Sequence, residues 1–242
     1  MRILVCLVLV SLPALCFSQE KQDSVKNKLE PYLSFSLNSN GIAPIPSFSL
    51  DKPAIIASVG LTKGRFSYDP GLAYGLDGKV WYIDSWLHYK IIARPKFELK
   101  LGVNFSTFCS GYEISGIKIQ MAERYFTFSI TPTYKLSPVS SLSMDYWSDN
   151  GQEKTSIKGH FFDLVYDRSE IALGKKAMLG INLMLFYINY DGNNDGLFVS
   201  PRITLSMRNF PAALFFQASQ AIQSDISPWP GFRGNVGISY TL

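Results

Sequence analysis

The sequence predicts an all-β fold: a single transmembrane, antiparallel up-and-down β-barrel of about 12 strands. Apolar and polar residues alternate through most of the chain, as expected for strands with two different faces. The alternating segments often reach the length that a tilted strand needs to cross a bilayer. Charged residues make up 17% of the chain and aromatic residues 14%. About 25% charged is usual in soluble domains, so the composition suits a wall that faces lipid.

The N-terminal segment 1–18 has the features of a signal peptide, which leaves 19–242 as the barrel domain. Arg2 supplies the positive start, and an apolar run follows it. Cys16 and Ser18 are small residues at the −3 and −1 positions of the expected cleavage site. The apolar run is too short for a stable transmembrane helix. Export through a signal peptide to the outer membrane is therefore the predicted localisation.

The cysteines and the net charge exclude several classes of protein. Lipidation of Cys16 is an alternative for the leader, but Leu15 stands where a small residue is normally needed. Once the leader is removed, Cys109 is the sole cysteine, so neither an internal disulfide nor a cysteine metal site is expected. A net charge of +4 is too small to indicate nucleic-acid binding. No cofactor is predicted.

Period-two alternation defines the predicted strands. In segment 97–107, the apolar residues Phe97, Leu99, Leu101, Val103 and Phe105 alternate with polar or small ones. In segment 80–92, Trp81, Ile83, Leu87, Tyr89 and Ile91 are predicted to share the apolar face. The predicted strands are 30–38, 54–61, 64–76, 79–92, 96–107, 119–136, 139–148, 155–167, 177–190, 197–208, 212–222 and 230–242.

The predicted connections differ in length between the two ends of the barrel. Those after strands two, four, six and ten are short, whereas most of the others are longer, including 39–53, the longest, and 108–118. Asp77-Gly78 predicts a tight hairpin, and the link 168–176 is longer than the pattern requires. Short periplasmic turns and longer outer loops are typical of outer-membrane barrels. An even strand number places both termini on the periplasmic side.

A soluble β-sandwich or a lipocalin-like barrel is the alternative fold, because alternation alone does not say which face meets water. In a membrane barrel the apolar face meets lipid and the polar face lines the lumen. The apolar face here is rich in aromatics and nearly free of charge. The polar face is rich in Ser, Thr, Gly and Asn, which would fill a soluble core poorly. These features favour the membrane barrel.

Two segments of the chain resemble known proteins. KGRFSYDPGLAYGLDGKVWYIDSWLHYK (63–90) and the ending NVGISYTL (235–242) are similar to uncharacterised, porin-like outer-membrane β-barrel proteins of Bacteroidota. The resemblance implies an outer-membrane barrel over the whole mature chain, without a known activity. Such barrels commonly end on an aromatic residue that the barrel assembly machinery recognises. Here the aromatic, Tyr240, comes two places before the end.

Strand parity predicts which ionisable side chains line the lumen. They are Arg65, Asp69, Asp84, His88, Lys90, Glu98, Lys100, Glu123, Lys135, Asp145, Asp163, Asp167, Arg202, Arg208 and Arg233. Ion pairs that fill a wet interior are one interpretation, and a lining that selects a small polar solute is the other. A turn centred near Arg94 would place Lys90 opposite Glu98 and His88 opposite Lys100.

The strand number also limits the width of the lumen. Eight strands leave a filled interior and sixteen or more an open channel, so about 12 predict a narrow pore. Segment 39–53 is either an ordinary outer loop or a partial plug of that pore.

Asp191, Asn193 and Asp195 form a weak calcium candidate. The letters DGNNDG copy the first half of a calcium loop, with oxygen ligands at alternate positions and a glycine for the turn. The twelfth position, normally Glu, is Arg202. A polar outer hairpin explains the same residues, so no metal site is predicted with these ligands alone.

Eight aromatic residues are candidates for girdles at the two membrane interfaces: Phe66, Trp81, Tyr89, Tyr146, Tyr166, Tyr187, Trp229 and Tyr240. Ordinary packing along the wall is the alternative explanation of the same residues.

Catalysis has little support in the sequence. His88 and His160 are the sole imidazole bases, and no G-x-S-x-G motif is present. The favoured function is therefore non-enzymatic: a narrow channel for small polar solutes, embedded in outer-membrane lipid and inserted by the barrel assembly machinery. The alternatives are a closed structural or binding barrel that acts through its outer loops, and a hydrolase that uses one of the two histidines. Lys90, Lys100, Arg202, Arg208 and Arg233 lead to the hypothesis of anion preference.

Overall fold

A computed structural model describes residues 28–43, 45, 48–114, 117–154, 156, 158–190, 194–226 and 231–242. The predicted signal peptide lies outside these residues. In the described part of the chain, twelve antiparallel strands form one closed barrel. They are β1 (Leu29–Asn38), β2 (Ala54–Lys63), β3 (Phe66–Gly75), β4 (Val80–Ala93), β5 (Phe97–Ile114), β6 (Ile117–Ser137), β7 (Ser140–Gly151), β8 (Lys158–Leu173), β9 (Ala177–Tyr190), β10 (Asn194–Met207), β11 (Ala212–Ser224) and β12 (Phe232–Thr241).

Every strand pairs with its neighbours in sequence, and β1 pairs with β12 to close the barrel. Ser34 lies opposite Thr241 and Asn38 opposite Gly237 in that closing pair. Because of this closure, none of the twelve strands in the described residues is an edge strand, as a lipid environment requires. The predicted up-and-down barrel of 12 strands is confirmed.

The two ends of the barrel have connections of different length. At the end where β1 begins, called the turn end below, the connections are 64–65, 94–96, 138–139, 174–176 and 208–211. The opposite end, called the loop end, carries 39–53, 76–79, 152–157 and 225–231. Gly64 and Gly78 have φ angles of 63° and 79°, in the left-handed region that glycine adopts without strain. The predicted Asp77-Gly78 hairpin therefore forms.

Two of the predicted longer connections are wrong. Segment 168–176 was expected to be a link, but β8 continues to Leu173 across an irregularity between Arg168 and Ile171. Segment 108–118 was expected to be a loop, but β5 and β6 continue pairing to Ile114 and Ile117. In both cases backbone pairing extends the strands beyond the point where side-chain alternation indicates their ends.

The outer face of the wall is apolar. Large side chains such as Phe105, Leu214 and Val236 are 64%, 52% and 57% exposed, and they point away from the lumen. Outward aromatic and aliphatic groups are what acyl chains contact in a membrane barrel. The soluble-barrel alternative, with these groups packed at the centre, is therefore rejected. Within the described residues, no helix is both long and apolar enough to cross a membrane.

Trp81 is an exception to the predicted faces. It is 2% exposed and packs inside the barrel against Ala54 and Ala73, so its assignment to the outer face and to an aromatic girdle is wrong. The cause is a register shift between Ala73 and Tyr74, opposite Val80 and Tyr82, because an extra residue in a strand redirects its side chain. Trp229, another girdle candidate, lies outside the described residues.

Candidate pore interior

Segment 39–53, called the inner loop below, folds into the loop end of the lumen. Its base is closed by hydrogen bonds from the Leu50 amide to the Gly41 carbonyl (2.8 Å) and from the Gly41 amide to the Lys52 carbonyl (2.9 Å). The Trp81 indole N–H donates to the Phe48 carbonyl at 2.7 Å. Ile45 at the tip is 6% exposed. Of the two alternatives for this segment, an outer loop or a partial plug, the structure has the second arrangement.

The tip of the inner loop contacts an apolar layer across the lumen. Its buried members are Ile45, Phe161, Phe186, Ile188, Phe198 and Ile226. The rings of Phe186 and Phe198 stack with centroids 5.0 Å apart, and those of Trp147 and Phe161 with centroids 4.7 Å apart. This layer fills the lumen near the loop end with apolar groups, which hinders the passage of water and ions there.

The inward aromatic residues were not identified from the sequence. The polar face was expected to carry Ser, Thr, Gly, Asn and charges, yet Trp86, Phe108, Tyr125 and Trp147 also point inward. Strand parity was a usable signal, because Trp86 lies two residues from Asp84 on the same face of β4. Because this face also carries the ionisable residues, alternation indicates a polar face and does not distinguish its aromatic members.

Directly beneath the inner loop lies a cavity of about 240 Å³, called the loop-side cavity below. Its lining residues are Ile42, Ala43, Ile45, Phe48, Ile56, Trp81, Tyr82, Asp84, Trp86, Asn104, Ser106, Phe108, Tyr125, Thr127, Trp147 and Asp149. Seven of these sixteen residues are aromatic, and two of the polar ones are carboxylates.

Lumen carboxylates on β4, β7 and β8 bond to neutral groups. The Asn104 amide donates to Asp84 at 3.4 Å, and the Asp145 amide donates to Asp163 at 3.0 Å. The hydroxyls of Thr127 and Thr131 donate to Asp149 and Asp145, respectively. Within the described ranges, no lysine or arginine lies within 4.0 Å of these four carboxylates.

Nearer the turn end, two lysines share one carboxylate. Lys90 lies 3.3 Å from Glu98, and Lys135 also bonds to Glu98. The expected cross-strand pairs are wrong: Lys90 lies opposite Lys100, and His88 lies opposite Gly102. The turn is centred beyond Arg94, whose amide and carbonyl both pair with Phe97 (2.9 and 3.3 Å), and an irregularity between Lys90 and Ile92 shifts the register further.

Arg202 lines a second cavity of about 400 Å³, called the turn-side cavity below, together with Asp167, Asn182, Met184, Ser200, Thr204 and Gln217. The Arg202 guanidinium lies 3.9 Å from the centroid of the Phe215 ring, a cation–π contact. The Asn182 amide donates to Asp167 at 3.3 Å. This cavity contains both signs of charge, unlike the loop-side cavity.

Asp69 is the centre of a polar cluster on β1, β3 and β4. It accepts hydrogen bonds from the hydroxyls of Tyr32 (3.2 Å) and Ser67 (3.1 Å). The His88 imidazole lies 3.2 Å from the same carboxylate. Gly60 packs so closely against the Tyr32 ring that a Cβ atom at this position would lie 1.6 Å from it. Two other predicted lining residues, Lys100 and Glu123, lie on β5 and β6. Each is two residues from an inward side chain on the same strand, Glu98 and Tyr125 respectively, and therefore lies on the inward face.

Two of the predicted lining arginines, Arg65 and Arg208, lie outside the strands, whereas Arg233 faces inward on β12 and binds the inner loop. Arg65 lies in the β2–β3 turn and donates to the Ile91 carbonyl at 2.9 Å. Arg208 is exposed in the β10–β11 connection. Arg233 is 7% exposed and lies 2.6 Å from Asp51 at the base of the inner loop, so it anchors that loop.

Two loop-end carboxylates outside the strands have lowered pKa values. The Lys52 ammonium, 2.6 Å away, donates a hydrogen bond to Asp77 and lowers the pKa of that carboxyl. The Arg124 backbone amide and guanidinium both donate to Glu153 and lower the pKa of its carboxyl. Both carboxylates stay ionised at neutral pH, so each connection is held to the barrel by charge-assisted hydrogen bonds.

The calcium candidate is only partly described. Asp191 and Asn193 lie outside the described residues. Asp195 accepts a hydrogen bond from the Tyr187 hydroxyl at 2.9 Å, and its own amide donates to Asp225 at 2.6 Å. Among the side chains whose positions are given, no group of three acidic, histidine or cysteine residues could hold a metal ion.

Comparison with known proteins identifies the class of fold. No protein-family model matches the chain, and comparison with curated protein sequences finds no significant match. Among solved structures, the KdgM porin in complex with disordered oligogalacturonate aligns with a TM-score of 0.56 and 9% identity, over 86% of this chain and 98% of that one. The NanC porin aligns with a TM-score of 0.51 and 8% identity, over 88% of this chain and 100% of that one. The chain therefore has a porin-like, outer-membrane type of β-barrel fold.

Proposed function

We propose that this chain is an outer-membrane channel for small polar solutes, narrowed at the loop end by the inner loop. The observation that carries the proposal is a lumen lined by hydrogen-bonded polar groups inside an apolar wall, with cavities of about 240 and 400 Å³ along it. The porin fold supports a channel, and the KdgM structure holds an oligogalacturonate, a polar solute.

The arrangement of the charges favours cations over anions. Lys90 and Lys135 share the single carboxylate of Glu98, which leaves a net charge of +1 at that site, and Arg233 is neutralised by Asp51. Asp84, Asp145, Asp149 and Asp163 bond to neutral donors. Rings of carboxylates select cations in pores. We therefore replace the hypothesis of anion preference with one of cation preference.

Export and assembly are part of the same proposal. The segment 1–18 is the proposed signal peptide, and the outward apolar band is the surface for outer-membrane lipid. Tyr240, on the outer face of the last strand and 39% exposed, is the aromatic residue that we propose the barrel assembly machinery recognises. Replacement of Tyr240 by Ser should reduce the amount of heat-modifiable barrel in the outer-membrane fraction. An unchanged amount would contradict that role.

Conductance and ion selectivity test the channel. The mature protein would be refolded from detergent into planar bilayers under a salt gradient. We expect discrete current steps and a reversal potential whose sign indicates cation preference. In Asp145→Asn/Asp163→Asn, this reversal potential should shift towards zero. Asp225→Asn, at the exposed loop end, is the matched control and should not move it. Anion preference in the wild-type protein would contradict the charge argument.

A closed binding barrel is the second candidate, favoured by the buried tip of the inner loop and the apolar layer around it. Folded, heat-modifiable protein that inserts into bilayers without current steps would support this candidate and overturn the channel.

We infer no hydrolase activity. Asp69 is the shared partner of Ser67 and His88, whereas a Ser-His-Asp triad needs the histidine in the middle. His160 bonds to the Tyr146 hydroxyl at 2.9 Å on the outer face of the barrel. Esterase and protease activity that is lost in His88→Ala or His160→Ala would contradict this inference.

A further inference from the structure

The loop-side cavity has aromatic walls in more than one orientation. The Trp86 and Trp147 rings lie 5.4 Å apart with 48° between their planes. Tyr82 and Phe108 form another wall, 5.7 Å apart at 43°. Phe48 of the inner loop stacks on Phe108 at 4.2 Å and covers the cavity towards the loop end. Ring faces that surround a small space carry negative electrostatic potential towards it.

Two carboxylates complete the cavity. Asp84 and Asp149 both line it. Each accepts a hydrogen bond from a neutral side chain, Asn104 and Thr127 respectively. In the described part of the chain, neither has a lysine or arginine within 4.0 Å. Two carboxylates in one semi-enclosed site repel each other, and a bound positive charge relieves that repulsion.

We propose that the loop-side cavity binds a small organic cation, with its ammonium group between the tryptophan rings and the two carboxylates. Aromatic faces attract quaternary and primary ammonium groups, and the carboxylates supply the opposite charge. The volume of about 240 Å³ limits the ligand to a small amine rather than a polymer. The same features repel acidic ligands, in contrast to the oligogalacturonate bound in the KdgM structure.

This inference adds a ligand class to the proposed function without depending on conductance, because a closed barrel would bind the same cation. Intrinsic fluorescence provides the measurement, since Trp81, Trp86 and Trp147, three of the four tryptophans, line the cavity. The full mature chain in detergent would be titrated with choline and with its uncharged isostere 3,3-dimethylbutan-1-ol. Sodium chloride would replace choline chloride to hold ionic strength constant.

We expect a saturable fluorescence change with choline, and half-saturation by the neutral alcohol at a concentration about tenfold higher or more. Asp84→Asn/Asp149→Asn should weaken choline binding by at least about tenfold. Asp167→Asn, a lumen carboxylate in the turn-side cavity, is the matched control and should leave choline binding unchanged. If the double variant does not fold, Asp149→Asn compared with Asp149→Glu tests the same charge.

Several outcomes would overturn the proposal. Equal affinity for choline and its isostere would mean that the cavity recognises shape rather than charge. A fluorescence change that saturates in a separate titration with sodium chloride alone would indicate an inorganic cation site. Saturation by methyl glucoside without a response to choline would indicate a saccharide site. None of these results depends on whether the barrel conducts, so failure of the ligand proposal is distinguishable from failure of the channel.

Discussion

Two ion pairs hold the base of the inner loop, and their unequal burial leads to a quantitative prediction. Asp51 binds Arg233 at 2.6 Å, with side-chain exposures of 46% and 7%. Lys52 binds Asp77 at the same distance, with exposures of 41% and 39%. Asp51→Asn and Asp77→Asn each remove one carboxylate charge without changing the side-chain volume. The two variants therefore compare a half-buried pair with an exposed one on the same loop.

The expected magnitudes follow from burial. Loss of one partner costs about 3–5 kcal/mol in a fully buried pair and about 0.2–1 kcal/mol in an exposed pair. Because Arg233 is buried and Asp51 is half exposed, we expect Asp51→Asn to lower the free energy of loop opening by about 1–2 kcal/mol. This change raises the fraction of open loop roughly 5–30-fold. Asp77→Asn should raise it less than about fivefold.

Thiol labelling measures loop opening directly. Ile45→Cys in a Cys109→Ser background places one thiol at the buried tip of the loop, and a membrane-impermeant maleimide reports its exposure. When opening and closing are fast, the labelling rate follows the open fraction. Equal labelling rates in the two variants, or no increase in Asp51→Asn, would refute the reasoning that the Asp51 pair holds the inner loop in the lumen.

Three further predictions concern other parts of the barrel. Gly60→Ala should destabilise the barrel by about 1–3 kcal/mol in urea unfolding, because the new methyl group meets the Tyr32 ring; if combination with Tyr32→Ala is fully additive, that contact is not the cause. Glu98→Gln removes the carboxylate that two lysines share, so the reversal potential should shift in the direction of anion preference. A shift in the direction of cation preference would contradict the assignment of these three side chains to the lumen. The lowered pKa of Asp77 means that its stabilising pair is complete above about pH 3.9 and is lost as the pH falls through the lowered value. The unfolding temperature of the wild type should therefore fall more in that range than that of Asp77→Asn, and parallel profiles would rule out a contribution from this pair.

The outer face could be predicted from the sequence because outward positions recur at every second residue. The strand number could be predicted from the number of alternating segments. Phe105, Ile83 and Tyr89 are examples in which parity alone gives the correct face. Parity fails where a strand contains an irregularity. Trp81 points inward because the β3–β4 register shifts beside it, and the Lys90 pairing differs for a similar reason. Such shifts depend on backbone hydrogen bonds between strands, which alternation does not encode.

The lumen charges could be named from the sequence, but their partners could not. Lys90, Lys135 and Glu98 come from three strands, and their common site depends on register across two hairpins. The same holds for Asp51 and Arg233, which are separated by 182 positions in the sequence. The inward aromatic residues had a sequence signal, since Trp86 shares the parity of Asp84. Their grouping into one cavity beneath the inner loop required the barrel itself.

Single-channel conductance of two matched proteins tests the central claim most directly. In one variant, residues 42–49 are replaced by two glycines, which fit because the Leu50 amide lies 2.8 Å from the Gly41 carbonyl. Both proteins would first be checked for heat-modifiable migration. The wild type should give small current steps, and the shortened variant distinctly larger ones. Identical steps from both proteins, or none from either while both are folded, would contradict a polar pore narrowed by the inner loop.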